Sequence, residues 1–249
     1  MNLGFLTAGA SIARVAGRQA GNLAKELLNR VVGLPEVVLN AFGVLPAKQL
    51  RLRVVVLSKT LGANVLGVPD AAVDAALKPA IELTRDILWK EARVRLVAAG
   101  GRFVDVETVP APPQALSVHC NQRAFVEDFE TAGRYFNEHL VRTKVGSVTG
   151  TTSPVTAFVV AEIDQMIGCS IGPLADYVTL RPDAITMTRP WALAHEIGHA
   201  CGLPHVTGVA RALFGGDPAT NLMDPYGSGE SLTKRQAIVL RNSRHVTFL

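Results

Sequence analysis

The sequence predicts an α+β fold, and two observations carry this prediction. Segments with strand character and segments with helical periodicity follow one another along residues 47–202. From residue 206 to residue 231 the chain is instead rich in Gly, Pro and Asp, and a helical pattern returns only near the end. Hydrophobic residues make up 48% and charged residues 18% of the 249 residues, which is typical of a globular protein and not of a disordered one.

The first strand is predicted over Leu50–Ser58, a run that is β-branched and partly alternates apolar with polar residues. An amphipathic helix follows, marked by residues that recur at helical spacing: Val73, Leu77, Ala80, Thr84 and Leu88. Arg93–Ala99 and Arg102–Thr108 then have strand character on either side of a Gly-Gly pair. Because such a pair suits a tight turn, the two runs predict a β-hairpin.

Further elements are predicted in the second half of the chain. The spacing of apolar residues over Phe125–Leu140 indicates a second amphipathic helix. Three strand candidates follow, namely Val155–Ile163, Tyr177–Arg181 and Ala184–Thr188. Thr233 and Gln236 have the spacing of a capping box, which predicts that a C-terminal helix runs through residues 237–240.

One stretch of the chain carries a dense chemical signature, H-E-x-x-H-x-x-G-x-x-H, formed by His195, Glu196, His199, Gly202 and His205. Residues four apart on a helix share a face, so the first two histidines can direct their imidazoles at one metal ion. Glycine at 202 can adopt the left-handed conformation that ends a helix. The chain can then double back and supply His205 as a third ligand.

Three imidazoles with one open coordination position indicate a catalytic zinc site, because structural zinc sites are closed by four protein ligands. Zinc lowers the pKa of a bound water to about 7 and so provides a nucleophile at neutral pH. Glu196 stands beside the ligands and is the candidate general base. The pattern therefore predicts hydrolysis of an amide.

The extended motif resembles that of the metzincin metalloendopeptidases, which also carry a methionine turn beneath the metal. Asn221–Pro225, with the sequence NLMDP, is similar to that turn and provides Met223 as its methionine. The resemblance includes specific motifs over residues 184–249. Upstream of them it concerns only the order of the strands and helices.

This resemblance implies a twisted mixed β-sheet with an active-site helix and a backing helix, forming an upper subdomain of residues 47–202. It implies a small irregular lower subdomain, residues 203–249, that ends in a helix. One zinc ion per chain, support of the site by Gly202 and Met223, and a polypeptide substrate are also implied. Residues 110–150 exceed the smallest such layout, so we expect them to be an insertion over the cleft.

The leading hypothesis is a zinc-dependent endopeptidase that cleaves internal peptide bonds. Two alternatives stay open from the sequence: a zinc hydrolase of a non-protein amide, and a binding protein that keeps the fold without turnover. The presence of Glu196 argues against the binding protein. A protein without turnover could lose this base and still bind the metal, so it would have no need to keep it.

Residues 1–46 predict a helical N-terminal extension rich in Ala, Gly, Leu and Val. Three interpretations remain: a pro-segment or packing arm, a helix that lies on a membrane surface, and an unusual export signal. No standard signal peptide or transmembrane helix is recognisable. The sequence therefore leaves the compartment open, and only the family resemblance suggests export or the cell envelope.

Charge and cysteine content give weaker information about partners and compartment. The formal net charge of +4 comes from scattered arginines without a basic run, so we expect no nucleic-acid partner. Cys120, Cys169 and Cys201 form no disulfide framework and no C-x-x-C pair. Cys201 is predicted to be a buried structural thiol, whereas pairing of Cys120 with Cys169 cannot be decided from the sequence.

Overall fold

The computed structural model describes residues 15–27, 46–120, 130–140, 153–164, 166–186 and 189–248. The first part of the predicted helix Phe125–Leu140 and much of the predicted insertion lie outside the described residues. So do the first 14 residues and residues 28–45 of the N-terminal extension.

The strands of the described chain are β1 Lys48–Thr60, β2 Ala63–Asn64, β3 Val94–Ala98, β4 Val104–Pro110, β5 Ser117–Val118, β6 Val155–Val159, β7 Glu162–Ile163, β8 Gly168–Cys169, β9 Tyr177–Leu180 and β10 Val246–Phe248. The helices are α1 15–27, α2 Asp70–Ala92, α3 Pro113–Leu116, α4 Thr131–Glu138, α5 Pro182–Ile185, α6 Ala192–Ala200, α7 Gly208–Phe214 and α8 Lys234–Arg241. Two 3₁₀ turns occupy Gly172–Leu174 and Pro218–Thr220.

The strand β1 organises the main sheet. On one edge it pairs antiparallel with β10 and then parallel with β6, and on the other edge it pairs parallel with β3 and then with β4. Beyond β6 the sheet continues through parallel β9 to antiparallel β8. The residues Val54–Leu57 of β1 are almost fully buried, as expected for a β-branched run inside a sheet. The predicted α+β class and mixed open sheet are confirmed.

The predicted hairpin around Gly100 and Gly101 is wrong. Both β3 and β4 run parallel to β1, with Lys48 opposite Val94 and Val54 opposite Val104, so they are two pieces of one interrupted strand. Both glycines have positive φ, and the residues between the two pieces loop out of the ladder. A Gly-Gly pair is compatible with a loop that bulges out of a strand as well as with a hairpin turn. Pairing of both segments with the distant strand β1 determines which of the two forms.

Helices α2 and α6 pack against each other beside the sheet. The buried side chains of α2 include the predicted Val73, Leu77 and Leu88, so this helix is confirmed and is longer than expected. The short strand predicted at Ala184–Thr188 is wrong at its first residues, because residues 182–185 form the single helical turn α5. Residues 187 and 188 of this prediction lie outside the described residues. Proline suits the first turn of a helix, and Pro182 begins this one.

The chain after His205 is largely irregular, although it includes α7. The predicted C-terminal helix is confirmed as α8, and its capping box has both hydrogen bonds: Gln236 N–H donates to Thr233 Oγ1 and Thr233 N–H donates to Gln236 Oε1. Past α8 the chain returns to the sheet as β10. The boundary between two subdomains stays a prediction.

Helix α1 lies against the rest of the chain through polar side chains. Asn22 donates a hydrogen bond to the carbonyl of Leu174 at 2.8 Å. Glu26, only 1% exposed, accepts hydrogen bonds from the backbone N–H of Arg244 and from the hydroxyl of Ser243. Among the described helices none has the length and apolar character needed to cross a bilayer.

A buried charged cluster lies where α1 meets the C-terminal residues. Arg244 is fully buried and forms an ion pair with Asp176, and this guanidinium helps to hold the pKa of the Asp176 carboxyl below its usual value against the effect of burial. Next to it, His245 donates from Nδ1 to the carbonyl of Ser153 at 2.8 Å. Burial, together with the charge of Arg244, lowers the pKa of His245 to about 3.

His245 should make the stability of the protein fall in acid. Because its pKa is depressed in the folded state, the unfolded chain binds the extra proton between about pH 6.5 and pH 3, and stability decreases as the pH falls through that window. Asparagine keeps an N–H near the Nδ1 position but does not titrate. Between pH 7.5 and 4.5, we expect the free energy of unfolding to drop about 2–3 kcal/mol more in wild type than in His245→Asn. Urea unfolding at the two pH values measures this; equal drops would contradict it.

Candidate metal centre

Helix α6 carries the first two histidines of the motif and the glutamate between them. The helix ends at Ala200 with Cys201 as its C-cap, and Gly202 follows with φ of +86°. In this left-handed conformation Gly202 donates its N–H to the carbonyl of His199, and the next residue, Leu203, donates to the carbonyl of Gly198. The chain thereby turns back and returns His205 to the helix.

The structure brings the three predicted ligands together. The Nε2 atoms of His195, His199 and His205 lie 3.0–3.2 Å from one another in a nearly equilateral triangle. A tetrahedral ion about 2.0–2.1 Å from each nitrogen would separate them by about 3.3 Å. Among the described residues, these three side chains are the group whose arrangement could hold a metal ion.

Two backbone carbonyls fix the orientation of the rings. The Nδ1 of His195 donates to the carbonyl of Leu222 at 2.6 Å, and the Nδ1 of His199 donates to the carbonyl of Leu203 at 2.7 Å. With the proton on Nδ1, the lone pair of each ring is on Nε2 and faces the common centre. The first two ligands are therefore held in the tautomer that a metal requires.

The surroundings of the three rings favour their neutral form. Burial, together with the neighbouring imidazoles, lowers the pKa of His195 to about 4 and that of His199 to about 3. Burial also lowers the pKa of His205, although the nearby Asp224 carboxylate opposes this. Neutral imidazoles are the form that binds metals, so the site does not need to lose protons at neutral pH to accept a cation.

Glu196 is buried behind the histidines, with 5% of its surface exposed. Burial alone raises its pKa to about 8. Its Oε2 atom is buried and has no hydrogen-bond partner among the described residues, and such unpaired buried groups are found at catalytic sites. A cation held by the imidazoles would attract the carboxylate form and lower this pKa.

Gly168 is a residue of the site that the sequence did not single out. It belongs to the edge strand β8, and a Cβ added there would come within 2.5 Å of Glu196 Oε1. The carboxylate is therefore packed directly on the backbone of this strand. No local signal in the sequence indicated this contact, because the two residues are distant along the chain and meet through tertiary packing.

The predicted methionine turn lies beneath the helix. Met223 is fully buried, and its sulfur occupies the space beside Gly198 of α6, where a Cβ would come within 2.6 Å of Sδ. The Asn221 side chain holds the turn: its Oδ1 accepts from the backbone N–H of Met223, and its amide donates to Gln236. Gly198 was not predicted to matter, although it lies inside the motif.

The metal centre opens on a cleft of about 460 Å³. A disulfide joins Cys120 to Cys169, a pairing that the sequence left undecided, and it forms part of the wall of the cleft. The third cysteine, Cys201, is a buried thiol as predicted. Tyr226 stands at the rim with 96% of its surface exposed. Other described residues of the wall are Met166, Ile167, Ser170, Trp191, Thr207 and Pro225.

No protein-family model matches the chain, and no curated protein sequence matches it. The reaction is therefore inferred from the residues of the site.

If Glu196 is the general base that the sequence predicts, replacing Gly168 with alanine should lower turnover and leave metal binding unchanged. The new methyl group would displace the Glu196 carboxylate, and a misplaced catalytic group lowers rates by about 10- to 100-fold. The atoms nearest to the added methyl group all belong to Glu196 and not to the histidines, so metal content should stay at the wild-type level. Gly21→Ala is a matched control, since a Cβ at Gly21 meets nothing within 4 Å. Equal turnover by Gly168→Ala and the control would show that the contact is unimportant.

Met223 should support the site by packing and not by ligation. Met223→Leu roughly conserves volume, so we expect it to cost less than about 1.5 kcal/mol of stability and to leave metal content unchanged. Thermal unfolding and elemental analysis of the purified variant provide the two measurements. Loss of the metal with an intact circular dichroism spectrum would mean that the sulfur is a ligand or that the turn is misassigned.

Proposed function

We propose that this protein is a zinc-dependent endopeptidase of the metzincin type. The observation that carries the proposal is the meeting of three neutral imidazoles beside a buried carboxylate at an open cleft. The methionine turn packed under α6 adds to the metzincin resemblance of the motif.

The donor set fits zinc. Three nitrogen ligands with a fourth position facing a cleft are typical of catalytic zinc, whereas calcium and magnesium prefer oxygen ligands. When bound there, zinc would supply Lewis acidity to a carbonyl and acidify a water molecule. The residues His195, His199 and His205 would hold it through their Nε2 atoms.

Glu196 would act as the proton carrier of the reaction. Its free Oε2 atom accepts a proton from the attacking water and afterwards gives that proton to the nitrogen of the leaving amine. Burial keeps the carboxylate away from bulk water, and the backbone of Gly168 limits its movement on one side. A positioned base of this kind contributes about 10²- to 10⁴-fold to the rate.

A polypeptide substrate is supported by the wall of the cleft. The strand β8 is the last of the main sheet and contributes Gly168 and Cys169 to the cleft. Extended peptides bind to such sheet edges through backbone hydrogen bonds. A chain lying along β8 would pass the carboxylate of Glu196, which is packed on that strand.

The test is zinc content and cleavage of an unfolded protein such as casein, measured on the same preparations. We expect stoichiometric zinc in wild type, at least about 10-fold weaker zinc binding in His205→Ala, and no change in His119→Ala, whose imidazole contacts Asp164 instead. Glu196→Gln should keep zinc and thermal stability but lose about 10²- to 10⁴-fold in turnover. Removal of zinc by a chelator should abolish turnover, and added zinc should restore it.

Two results would reject parts of the proposal. Wild-type zinc affinity in His205→Ala would show that the metal site is wrongly assigned. A protein that holds zinc but cleaves nothing in a broad peptide pool would reject the endopeptidase and favour a non-protein amide substrate or a binding protein.

A further inference from the structure

Two consecutive backbone carbonyls connect the methionine turn to the metal ligands. The carbonyl of Leu222 accepts a hydrogen bond from Nδ1 of His195 at 2.6 Å. The carbonyl of Met223 accepts one at 3.0 Å from the backbone N–H of Val206, which directly follows His205 in the chain. A displacement of the turn would therefore move the acceptor that orients one ligand and the anchor of the chain that carries another.

Asn221 holds this turn from inside. Only 2% of its surface is exposed. Its side-chain Oδ1 accepts from the backbone N–H of Met223 at 2.9 Å. The surroundings are closely packed, because a Cβ added at Gly229 would lie 2.5 Å from the backbone nitrogen of Asn221 and one at Gly216 would lie 3.1 Å from its Nδ2. The position of the asparagine thus determines where the turn lies.

Gln236, in the first turn of α8, holds the asparagine through a reciprocal pair of amide hydrogen bonds. Nδ2 of Asn221 donates to Oε1 of Gln236 at 2.8 Å, and Nε2 of Gln236 donates back to Oδ1 of Asn221 at 3.1 Å. Both amide oxygens also accept from a backbone N–H, that of Met223 for the asparagine and that of Thr233 for the glutamine. These N–H groups require an oxygen, so they fix which way each amide points. The pair therefore has one orientation, and it joins α8 to the turn.

A buried amide pair does more than an apolar contact at the same place would do. Gln236 is fully buried and Asn221 nearly so. Burying polar groups costs free energy unless they are hydrogen-bonded, and two apolar side chains would join α8 to the turn without that cost. Apolar contacts are not directional, however, whereas hydrogen bonds weaken steeply when their angle changes. The amide pair consequently limits both the position and the rotation of the turn.

We propose that Asn221 and Gln236 are positioning residues of the metal centre. They raise its metal affinity by holding the Leu222 carbonyl where it orients His195. This inference rests on the metal site of the proposed function and not on the nature of the substrate. Hydrogen-bond partners of a ligating histidine contribute about 10- to 100-fold to metal affinity. Because the amide pair acts through the Leu222 carbonyl, its loss should weaken binding by about 3- to 10-fold.

The test measures the zinc dissociation constant and, on separate samples, the visible absorption spectrum of the full chain loaded with cobalt(II). Gln236→Met keeps a similar side-chain volume but loses both amide hydrogen bonds to Asn221. We expect zinc to bind about 3- to 10-fold more weakly and the cobalt bands to shift, because they report the arrangement of the ligand atoms. This spectrum comes only from protein that holds the metal, so a loss of folded protein alone would not move its bands.

Thr233→Val is the matched control. It removes the hydroxyl that caps α8, while the backbone N–H of residue 233 and the amide pair remain. Loss of a helix cap destabilises a protein, so the melting temperature should fall. Zinc affinity and the cobalt spectrum should stay those of wild type, because the turn keeps its amide partner.

A double-mutant cycle tests whether the glutamine acts through the asparagine. Asn221→Ala should weaken zinc binding about 10-fold. Adding Gln236→Met to it should cause less than about a 2-fold further loss, since the glutamine then has no amide left to hold. Independent effects would instead multiply and would show that Gln236 acts by another path. Should Asn221→Ala fail to fold, the comparison of Gln236→Met with Thr233→Val decides.

Three results would overturn the proposal. They are wild-type zinc affinity in Gln236→Met, an unchanged cobalt spectrum in that variant, and an equal loss of affinity in Thr233→Val. Absence of zinc binding by the wild-type protein is a different result, because it would reject the metal site and this inference with it. Failure of the proposed function and failure of the positioning role are therefore distinguishable.

Discussion

The site depends on two hydrogen bonds from histidine Nδ1 atoms to backbone carbonyls. They fix the tautomer and the orientation of His195 and His199, so that the lone pairs of both rings meet that of His205. One of the carbonyls belongs to Leu222, immediately before Met223. The irregular part of the chain after His205 therefore orients a ligand that the helix α6 carries. The capping box of α8 extends this support, because Gln236 also holds Asn221 in the turn.

Two glycines show how closely the layers of the site are packed. At Gly198 the backbone of α6 approaches the sulfur of Met223, and at Gly168 the backbone of β8 approaches the carboxylate of Glu196. Neither glycine is chosen for its φ angle, since neither has a positive one. What both positions exclude is a side chain, which would push the methionine turn away from α6 at Gly198 and the Glu196 carboxylate away from β8 at Gly168. Protein interiors are packed densely enough that a single methyl group at such a point is felt.

The sequence predicted those parts of the site whose geometry is local. Residues 195, 199 and 205 are connected by one helical turn and one glycine turn, so their spacing alone brings them together. The capping box of α8 was predictable for the same reason. The contact of Gly168 with Glu196 and the disulfide of Cys120 with Cys169 join distant segments, and no periodicity encodes them. The predicted hairpin failed for the related reason that β3 and β4 are both placed by β1, about 50 residues earlier in the chain.

The pairing of β1 with β10 has a consequence for how the molecule assembles. Lys48 lies opposite Phe248, so the first residues of the central strand acquire their neighbour on that edge from residues 246–248. Contacts of such long sequence separation form slowly, because the whole intervening chain must be closed into a loop first. During synthesis this part of β1 stays without its final neighbour until residues 246–248 have left the ribosome. Meanwhile it is an uncovered strand edge, the kind of surface that chaperones protect.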